Sequence, residues 1–491
     1  MEAIPIGIFW SIALLTLLQR KEQALMYLFF ASMPFGSFAA IPTEVTGGLT
    51  LTPTPIVAIL LIARRLLSPG GVTQALDAAL KPSQLLPLFL FWLLAAVTTA
   101  FVPRLLAGMI EIVPMRSVGQ ADTALLGPTP QNISQLLYVS ISVLAIFSFA
   151  HLLRTEAMRR HAMWALCLGA AITVATGLLD LASQYVPIGP ALELFRTASY
   201  TLLTDVEMLD VKRLVGLMPE ASAFGTLSLG FLASLYFFRR AMPPGFVRGV
   251  LVPLLMAALL LLTWLSTSSA AYVGLGLVAA AVAADWCWRL TVSGRLPQLR
   301  RGLAGEFWLG VAGVVATVAV LAVVPKLLVS MQEMLDLMVL QKSTSSSYEE
   351  RTMWTQVSLH ALLSTGGLGV GLGSTRASNF AVALASNAGL LATGCYLVFL
   401  LQNLMLRKPP PQDTQARATL SAIRWSCLPP LFTSLLIATT PDFGLFNAFL
   451  YGFAVAVTRP LAYRPRLPLP AWRQRAGAPF LFEREEAHVR H

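Results

Sequence analysis

The sequence predicts an all-α polytopic integral membrane protein with about 12–14 transmembrane helices and a large loop region on one side of the membrane. Three observations carry this. Of 491 residues, 56% are hydrophobic and only 12% charged, against roughly 25% charged in a soluble domain, and the mean hydropathy is +0.70. The apolar residues fall in blocks of about 20, the length that crosses a hydrocarbon core of about 30 Å. These blocks do not alternate apolar with polar, so they read as helices rather than barrel strands. Finally, the basic residues cluster in every second connection between blocks, the pattern that sets membrane orientation.

In order along the chain, the blocks place helices at 4–18, 24–40, 50–67, 84–102, 133–152, 161–180, 214–237, 248–266, 269–290, 306–328, 383–404, 422–440 and 443–457. The first block has no basic residue before it and Arg20-Lys21 after it. A signal peptide has the opposite arrangement, so this block is expected to be a retained helix with its N-terminus outside. The inside connections then carry Arg64, Arg65 and Lys81; Arg154, Arg159 and Arg160; Arg239, Arg240 and Arg248; Arg289, Arg295, Arg300 and Arg301; and Arg407, Lys408 and Arg417. Residues 1–457 form the membrane domain, with long outer loops at 103–132, 181–213 and 329–382. Loops of this length in a compact protein usually carry function. The last holds an amphipathic stretch from Val329 to Leu340, a serine run from Ser343 to Ser347, a charged helix start and a glycine-rich turn. The tail 458–491 is rich in Pro and Arg and has no apolar block. It is expected to be a cytoplasmic extension near anionic headgroups.

Several function classes are disfavoured. The net charge of +11 sits mostly in short connections and the tail rather than in one patch, so no nucleic-acid partner is expected. Cys167, Cys287, Cys395 and Cys427 all lie in apolar blocks with no metal or disulfide spacing. No Walker motif points to nucleotide-driven action, and no metal or cofactor is predicted.

Four clusters carry candidate chemistry. Arg213 stands at the outer entrance of a predicted helix, and Glu220 about two turns into it, beside Pro219. A carboxylate within a span normally faces a partner or a water-filled cavity, and Pro219 frees backbone groups there. The bland alternative is an Arg–Glu pair that only holds helices together. The second cluster is Glu349-Glu350-Arg351-Thr352-Met353-Trp354, followed by His360. Arg351 and Trp354, three apart, share a helix face. A guanidinium beside an aromatic platform suits a sugar-phosphate ligand; an interfacial helix with Trp at headgroup level is the alternative. The third is Gly366-Gly367-Leu368-Gly369-Val370-Gly371-Leu372-Gly373-Ser374-Thr375-Arg376-Ala377-Ser378-Asn379. Its glycines allow close backbone approach or N–H groups aimed at an anion, or simple helix contact. Arg376, on the outside, is not a topology anchor. A weaker set, Ser266 to Ser269 and Asp442 with Asn447, lies at outer helix ends where caps are the plain reading. His151, His161, His488 and His491 receive no role.

The run Arg213…Gly-Leu-Met-Pro-Glu220-Ala-Ser-Ala-Phe-Gly, a long outer loop, Arg351-Thr-Met-Trp354 and Gly-Val-Gly-Leu-Gly-Ser-Thr-Arg376-Ala-Ser-Asn379 resembles the O-antigen ligase and Wzy-type polysaccharide polymerase superfamily. The motifs cover about 205 to 400. The resemblance implies a GT-C-type glycosyltransferase of the bacterial inner membrane, independent of metal and nucleotide sugar. Its N-terminus would be periplasmic and its C-terminus cytoplasmic. It would transfer glycan from an undecaprenyl-diphosphate-linked oligosaccharide on the periplasmic side, among membrane lipids and with a chain-length regulator and a flippase as candidate partners. By this resemblance Arg213, Arg351 and Arg376, and more loosely Arg196, hold the diphosphate. The candidate catalytic set is Glu220, Arg351, Arg376 and Glu350. Candidate substrate contacts are Arg213, Arg196, Trp354, Gly371, Gly373, Ser374, Ser378, Asn379 and His360. Where ligases commonly carry a His-Asn pair this chain has Ser378-Asn379. That favours an exopolysaccharide or O-antigen polymerase over a ligase and leaves Glu220 or Glu350 as base. A lipid-linked oligosaccharide transporter or flippase is the alternative from another class.

Overall fold

The computed structural model describes residues 3–458 apart from 20, 43, 47–48, 116–122, 209–210, 293–301, 324–335, 337–345 and 411–412. The basic tail after Thr458, nearly all of Val329–Leu340 and most of the serine run lie outside the described residues. In chain order the helices are α1 (Ala3–Leu18), α2 (Glu22–Ser32), α3 (Pro53–Leu66), α4 (Gly71–Ala79), α5 (Leu86–Leu105), α6 (Pro130–Leu152), α7 (Glu156–Ser183) and α8 (Gly189–Glu193). They continue with α9 (Ala221–Phe238), α10 (Val252–Leu265), α11 (Ser269–Val292), α12 (Leu303–Val323), α13 (Ser346–Ser364), α14 (Phe380–Ala388), α15 (Leu390–Leu401), α16 (Thr414–Ile437) and α17 (Leu445–Thr458). Two small antiparallel hairpins interrupt them. β1 (Glu111–Ile112) pairs with β2 (Ala124–Leu125), and β3 (Glu207–Met208) pairs with β4 (Val211–Lys212).

Seven of these helical segments are long and apolar enough to cross a membrane: α5, α6, α7, α9, the continuous stretch Val247–Leu265, α11 and α16. This is the architecture a polytopic membrane protein requires. α3 with α4 would make an eighth, but the pair is bent by 102°. Shorter apolar helices occupy Ile4–Leu18, Leu303–Val315, Leu390–Leu406 and Leu445–Thr458.

The helices differ from the predicted blocks where apolar sequence serves as buried loop. The block 24–40 is helical only to Ser32; beyond it Ser37 donates its N–H to the Leu217 carbonyl at 3.0 Å and its hydroxyl to the same oxygen at 2.8 Å. The block 383–404 is split at Gly389 into α14 and α15. The block 214–237 becomes helical only at Ala221, so Glu220 is the N-cap of α9 and not a residue two turns inside it. Hydrophobicity cannot separate a spanning helix from apolar backbone buried in protein, because both exclude water.

The core is aromatic and tightly packed. Phe30 lies edge-on to Phe449 at 4.8 Å, and Phe149 to Phe29 at 5.1 Å and to Phe449 at 5.4 Å. α17 can approach α6 this closely because residue 452 has no side chain. A Cβ there would stand 2.6 Å from that of Phe149, the small-residue contact common between membrane helices. At the end of α9 remote from Glu220, charge is buried as a closed set. Asp285 of α11 pairs with Arg240 at 2.6 Å and Arg289 at 2.9 Å, and Arg289 pairs in turn with Glu306 of α12.

Candidate functional site

A cavity of about 1100 Å³ opens where the first turns of α9 and α11, the start of α13, the Ser378-Asn379 turn, the end of α16 and the connection to α17 meet. Arg213, Glu220, Arg351, Ser378 and Asn379 all line it. Five residues chosen from three separate stretches of sequence therefore share one space.

Each is placed by a local device. The stretch from Leu214 to Glu220 is held by Asp180 of α7, whose side chain accepts the N–H groups of Val215 at 2.8 Å and Gly216 at 2.9 Å. This sets Arg213 on one side of a turn and Glu220 on the other. Ser222 donates its hydroxyl to the Glu220 carboxylate, which fixes the carboxylate at the positive end of α9. Asn379 caps α14, accepting the N–H groups of Ala381 at 2.9 Å and Val382 at 3.2 Å. The Ser378 N–H is tied to the Thr355 hydroxyl of α13 at 3.1 Å.

The electrostatics are unbalanced. Among the described residues, no carboxylate lies within 4.0 Å of the guanidinium of Arg213 or Arg351. The Nε of Arg213 is buried with no hydrogen-bond partner among them. Burial pulls the Arg213 pKa below its ordinary value, and the nearby Glu220 charge only partly opposes this. A desolvated cation without a partner favours an anion in the cavity.

The rest of the wall is rich in hydroxyls that no sequence motif marks. Thr226, Thr355 and Thr433 line the cavity, and each donates its hydroxyl to a carbonyl one turn earlier in its own helix. Their lone pairs remain available to a polyhydroxylated ligand. Such residues read as ordinary helix hydroxyls in sequence; the Pro429-Pro430 pair inside α16, of which Pro430 lines the cavity, is a local irregularity. Of the weaker set, Ser268, Ser269 and Asn447 reach the cavity wall, whereas Asp442 is not among the lining residues.

Other predicted site residues stand elsewhere. The Arg376 guanidinium lies over the Trp354 ring, 3.8 Å from its centroid, and neither side chain is among the cavity's lining residues. Burial lowers the Arg376 pKa, opposed by Glu350, so Glu350 also belongs to this neighbouring group. Arg196 is buried in an ion pair with Asp180 at 3.2 Å and also pairs with Glu193 at 2.8 Å. It braces the Asp180 support and borders a different recess, with Asp205 and Lys212. His360 is exposed and outside the lining.

Gly371, Gly373 and Ser374 do not present donors to an anion. Gly371 has φ +90°, and a Cβ there would strike Pro103 of α5 at 2.7 Å; at Gly373, with φ +80°, it would strike the Gln131 carbonyl of α6 at 2.4 Å. The Gly371 and Gly373 N–H groups bond to the backbone and side-chain oxygens of Asn387, at 2.9 and 3.0 Å. Ser374 is buried between the Val370 carbonyl and the Asn132 amide. The glycine-rich run is thus a packed junction that aims the next residues, Ser378 and Asn379, at the cavity. Comparison with known proteins adds no assignment to this geometry: no family model matches the chain, and no curated protein matches it at a significant level.

Proposed function

We propose that the protein is a glycosyltransferase of the bacterial inner membrane that polymerises undecaprenyl-diphosphate-linked oligosaccharide repeat units at the periplasmic face, as in exopolysaccharide or O-antigen assembly. The observation that carries this reading is the convergence of Arg213, Glu220 and Arg351 on one hydroxyl-rich cavity. Its sequence counterpart is the resemblance of these same motifs to the ligase and polymerase superfamily.

The chemistry follows from the charges. The acceptor hydroxyl attacks the anomeric carbon of the donor glycan, and the bond from that carbon to the phosphate oxygen breaks. The lipid diphosphate leaves with an added negative charge. Arg213 and Arg351 neutralise that charge in a site sheltered from bulk water, where positioned cations lower the barrier most. Glu220 takes the acceptor proton, with Ser222 orienting its carboxylate. The threonine and serine hydroxyls hold sugar rings. Arg376 acts through Trp354 by steadying α13, and so is a positioning residue. Ser378, in place of a histidine, makes the acceptor side dependent on Glu220 and favours polymerisation over ligation.

The test is reconstitution of purified protein with lipid-linked repeat units, scored for polymer and released undecaprenyl diphosphate. Arg351→Ala is expected to lower the rate by about 100-fold or more, as loss of one charge-stabilising donor does, with membrane insertion intact. Wild-type polymer yield from this variant would remove the site. A deletion strain separates the relatives of this reaction. Single repeat units on the final acceptor mark a lost polymerase, polymer stranded on carrier lipid marks a lost ligase, and substrate trapped on the cytoplasmic face marks a lost flippase.

A further inference from the structure

A second cationic site lies at the bend between α3 and α4, independent of the cavity above. The bend is built into the backbone. Gly70 has φ +72°, and a Cβ on Gly71 would stand 2.1 Å from the Arg65 carbonyl, so no larger residue fits. The turn of 102° lays α4 across the direction of α3. Along α4 and just beyond it, Val72, Leu76 and Leu80 are 52%, 52% and 65% exposed. Spaced by four, they form one apolar face, while Ala78 and Ala79 are buried. A helix lying across the direction of its neighbour, with an uncovered apolar face, is the form that rests in a lipid headgroup boundary.

Beside this helix are two guanidinium groups. Arg65 sits inside the bend, donating to Ser68 Oγ at 2.9 Å, to the Gln74 amide oxygen and to His151 Nδ1 at 3.0 Å. None of the three is a carboxylate; the Glu22 charge supports Arg65 only from beyond ion-pair distance. Arg154 follows α6 and lies close enough to Arg65 for that charge to add to burial in lowering its pKa, with Asp77 opposing. Its Nε is buried with no hydrogen-bond partner, and no carboxylate lies within 4.0 Å of either arginine, among the described residues. By contrast, neighbouring cations are paired, Lys81 with Asp77 and Arg160 with Glu156. Two like charges held together against an apolar helix face need an anion that brings its own apolar body.

We infer that Arg65 and Arg154, with the apolar face of α4, bind the phosphodiester headgroup of an anionic glycerophospholipid from the surrounding bilayer. The phosphate would bridge the two guanidiniums, and its acyl chains would lie along Val72, Leu76 and Leu80.

Native mass spectrometry of the full chain, with defined phosphatidylglycerol or phosphatidylethanolamine added, tests this. Wild type is expected to retain phosphatidylglycerol in preference to phosphatidylethanolamine. Arg154→Gln, which removes a guanidinium with no hydrogen bonds to lose among the described residues, is expected to weaken retention about fivefold, the effect of one cation near an anionic surface. Arg160→Gln, at an exposed and already paired residue, is expected to change nothing. Asp77→Asn is expected to increase retention about twofold, a gain that misfolding does not produce. Equal retention by wild type and Arg154→Gln, equal binding of the zwitterionic lipid, or no gain in Asp77→Asn would overturn the site. If millimolar inorganic phosphate displaces the lipid and Leu76→Ser has no effect, the ligand is a free phosphate and the lipid proposal fails.

Discussion

The two ends of α9 handle buried charge in opposite ways. At the far end, Arg240, Asp285, Arg289 and Glu306 form a closed set of two cations and two anions, with Asp285 and Arg289 fully buried. At the near end, Arg213 and Arg351 face a cavity with no carboxylate within ion-pair distance among the described residues. Charge that is balanced inside the protein fixes how α9, α11 and α12 pack. Charge left unbalanced at a cavity wall favours an anion there, which the proposed function supplies as a lipid diphosphate. Arg196 makes the same point within the cavity end itself: it lies close in sequence to Arg213, yet its charge is ion-paired with Asp180 and Glu193, although its Nε, like that of Arg213, has no hydrogen-bond partner among the described residues, and it is not among the cavity's lining residues.

The comparison breaks most sharply at Arg289. Arg289→Ala leaves Asp285 and Glu306 with less positive charge in a buried setting. Removing one partner of a buried pair costs about 3–5 kcal/mol. The expected outcome is a large drop in detergent Tm and in yield, while any protein that does fold transfers glycan at a near-normal specific rate. A variant with wild-type Tm would mean that the far-end network is not structural.

Much of this division was legible in sequence, but unevenly. The alternation of basic connections and apolar blocks announced a helical membrane chain, and the Pro219-Glu220 and Arg351 motifs led to one cavity. The resemblance implies Arg376, and the glycine-rich run offers Gly371, as ligand contacts, yet Arg376 packs on Trp354 and Gly371 lies against Pro103. Spacing along a chain tells which residues share a helix face, but not which of two sides of α13 faces the space. Nor could it find the partner of Arg196, because Asp180 lies 16 residues away near the end of another helix, a separation at which spacing along the chain does not show contact. The hydroxyls of Thr226 and Thr433 were invisible for a related reason: bonding to their own helix, they look the same in a wall as in a core.

Asp442 gives a smaller effect and a pH-dependent one. It lies in the connection between α16 and α17, just behind the cavity residues Phe443 and Gly444. Burial raises its pKa from 3.8 to about 6, against the opposing Gly444 N–H. A raised carboxyl pKa means that the folded state holds the proton more tightly than the unfolded one. Its stabilising contribution is therefore present in acid, below about pH 4, and disappears as the pH climbs through 6. The span of that change is on the order of 2–3 kcal/mol. Asp442→Asn, which stays neutral, is expected to flatten the fall in Tm between pH 4 and pH 7. An unchanged slope would show that another group carries the dependence.

Arg213→Ala is expected to have the smallest effect on stability and so sharpens the contrast with Arg289. Its guanidinium is desolvated, its Nε has no partner among the described residues, and only the Glu220 and Tyr272 electrostatics support its charge. Truncation removes an uncompensated cation at the cost of some packing by its alkyl stem. The two changes oppose each other, so Tm should move by no more than the equivalent of about 1 kcal/mol, and upward movement is allowed. Residues held in place for a ligand commonly trade stability in this direction. Glycan transfer should nevertheless fall steeply, because in the proposed reaction Arg213 and Arg351 act on the same leaving group. Measuring both quantities on one preparation decides the matter. If Arg213→Ala unfolds as readily as Arg289→Ala, Arg213 is part of the scaffold and the two ends of α9 do not differ.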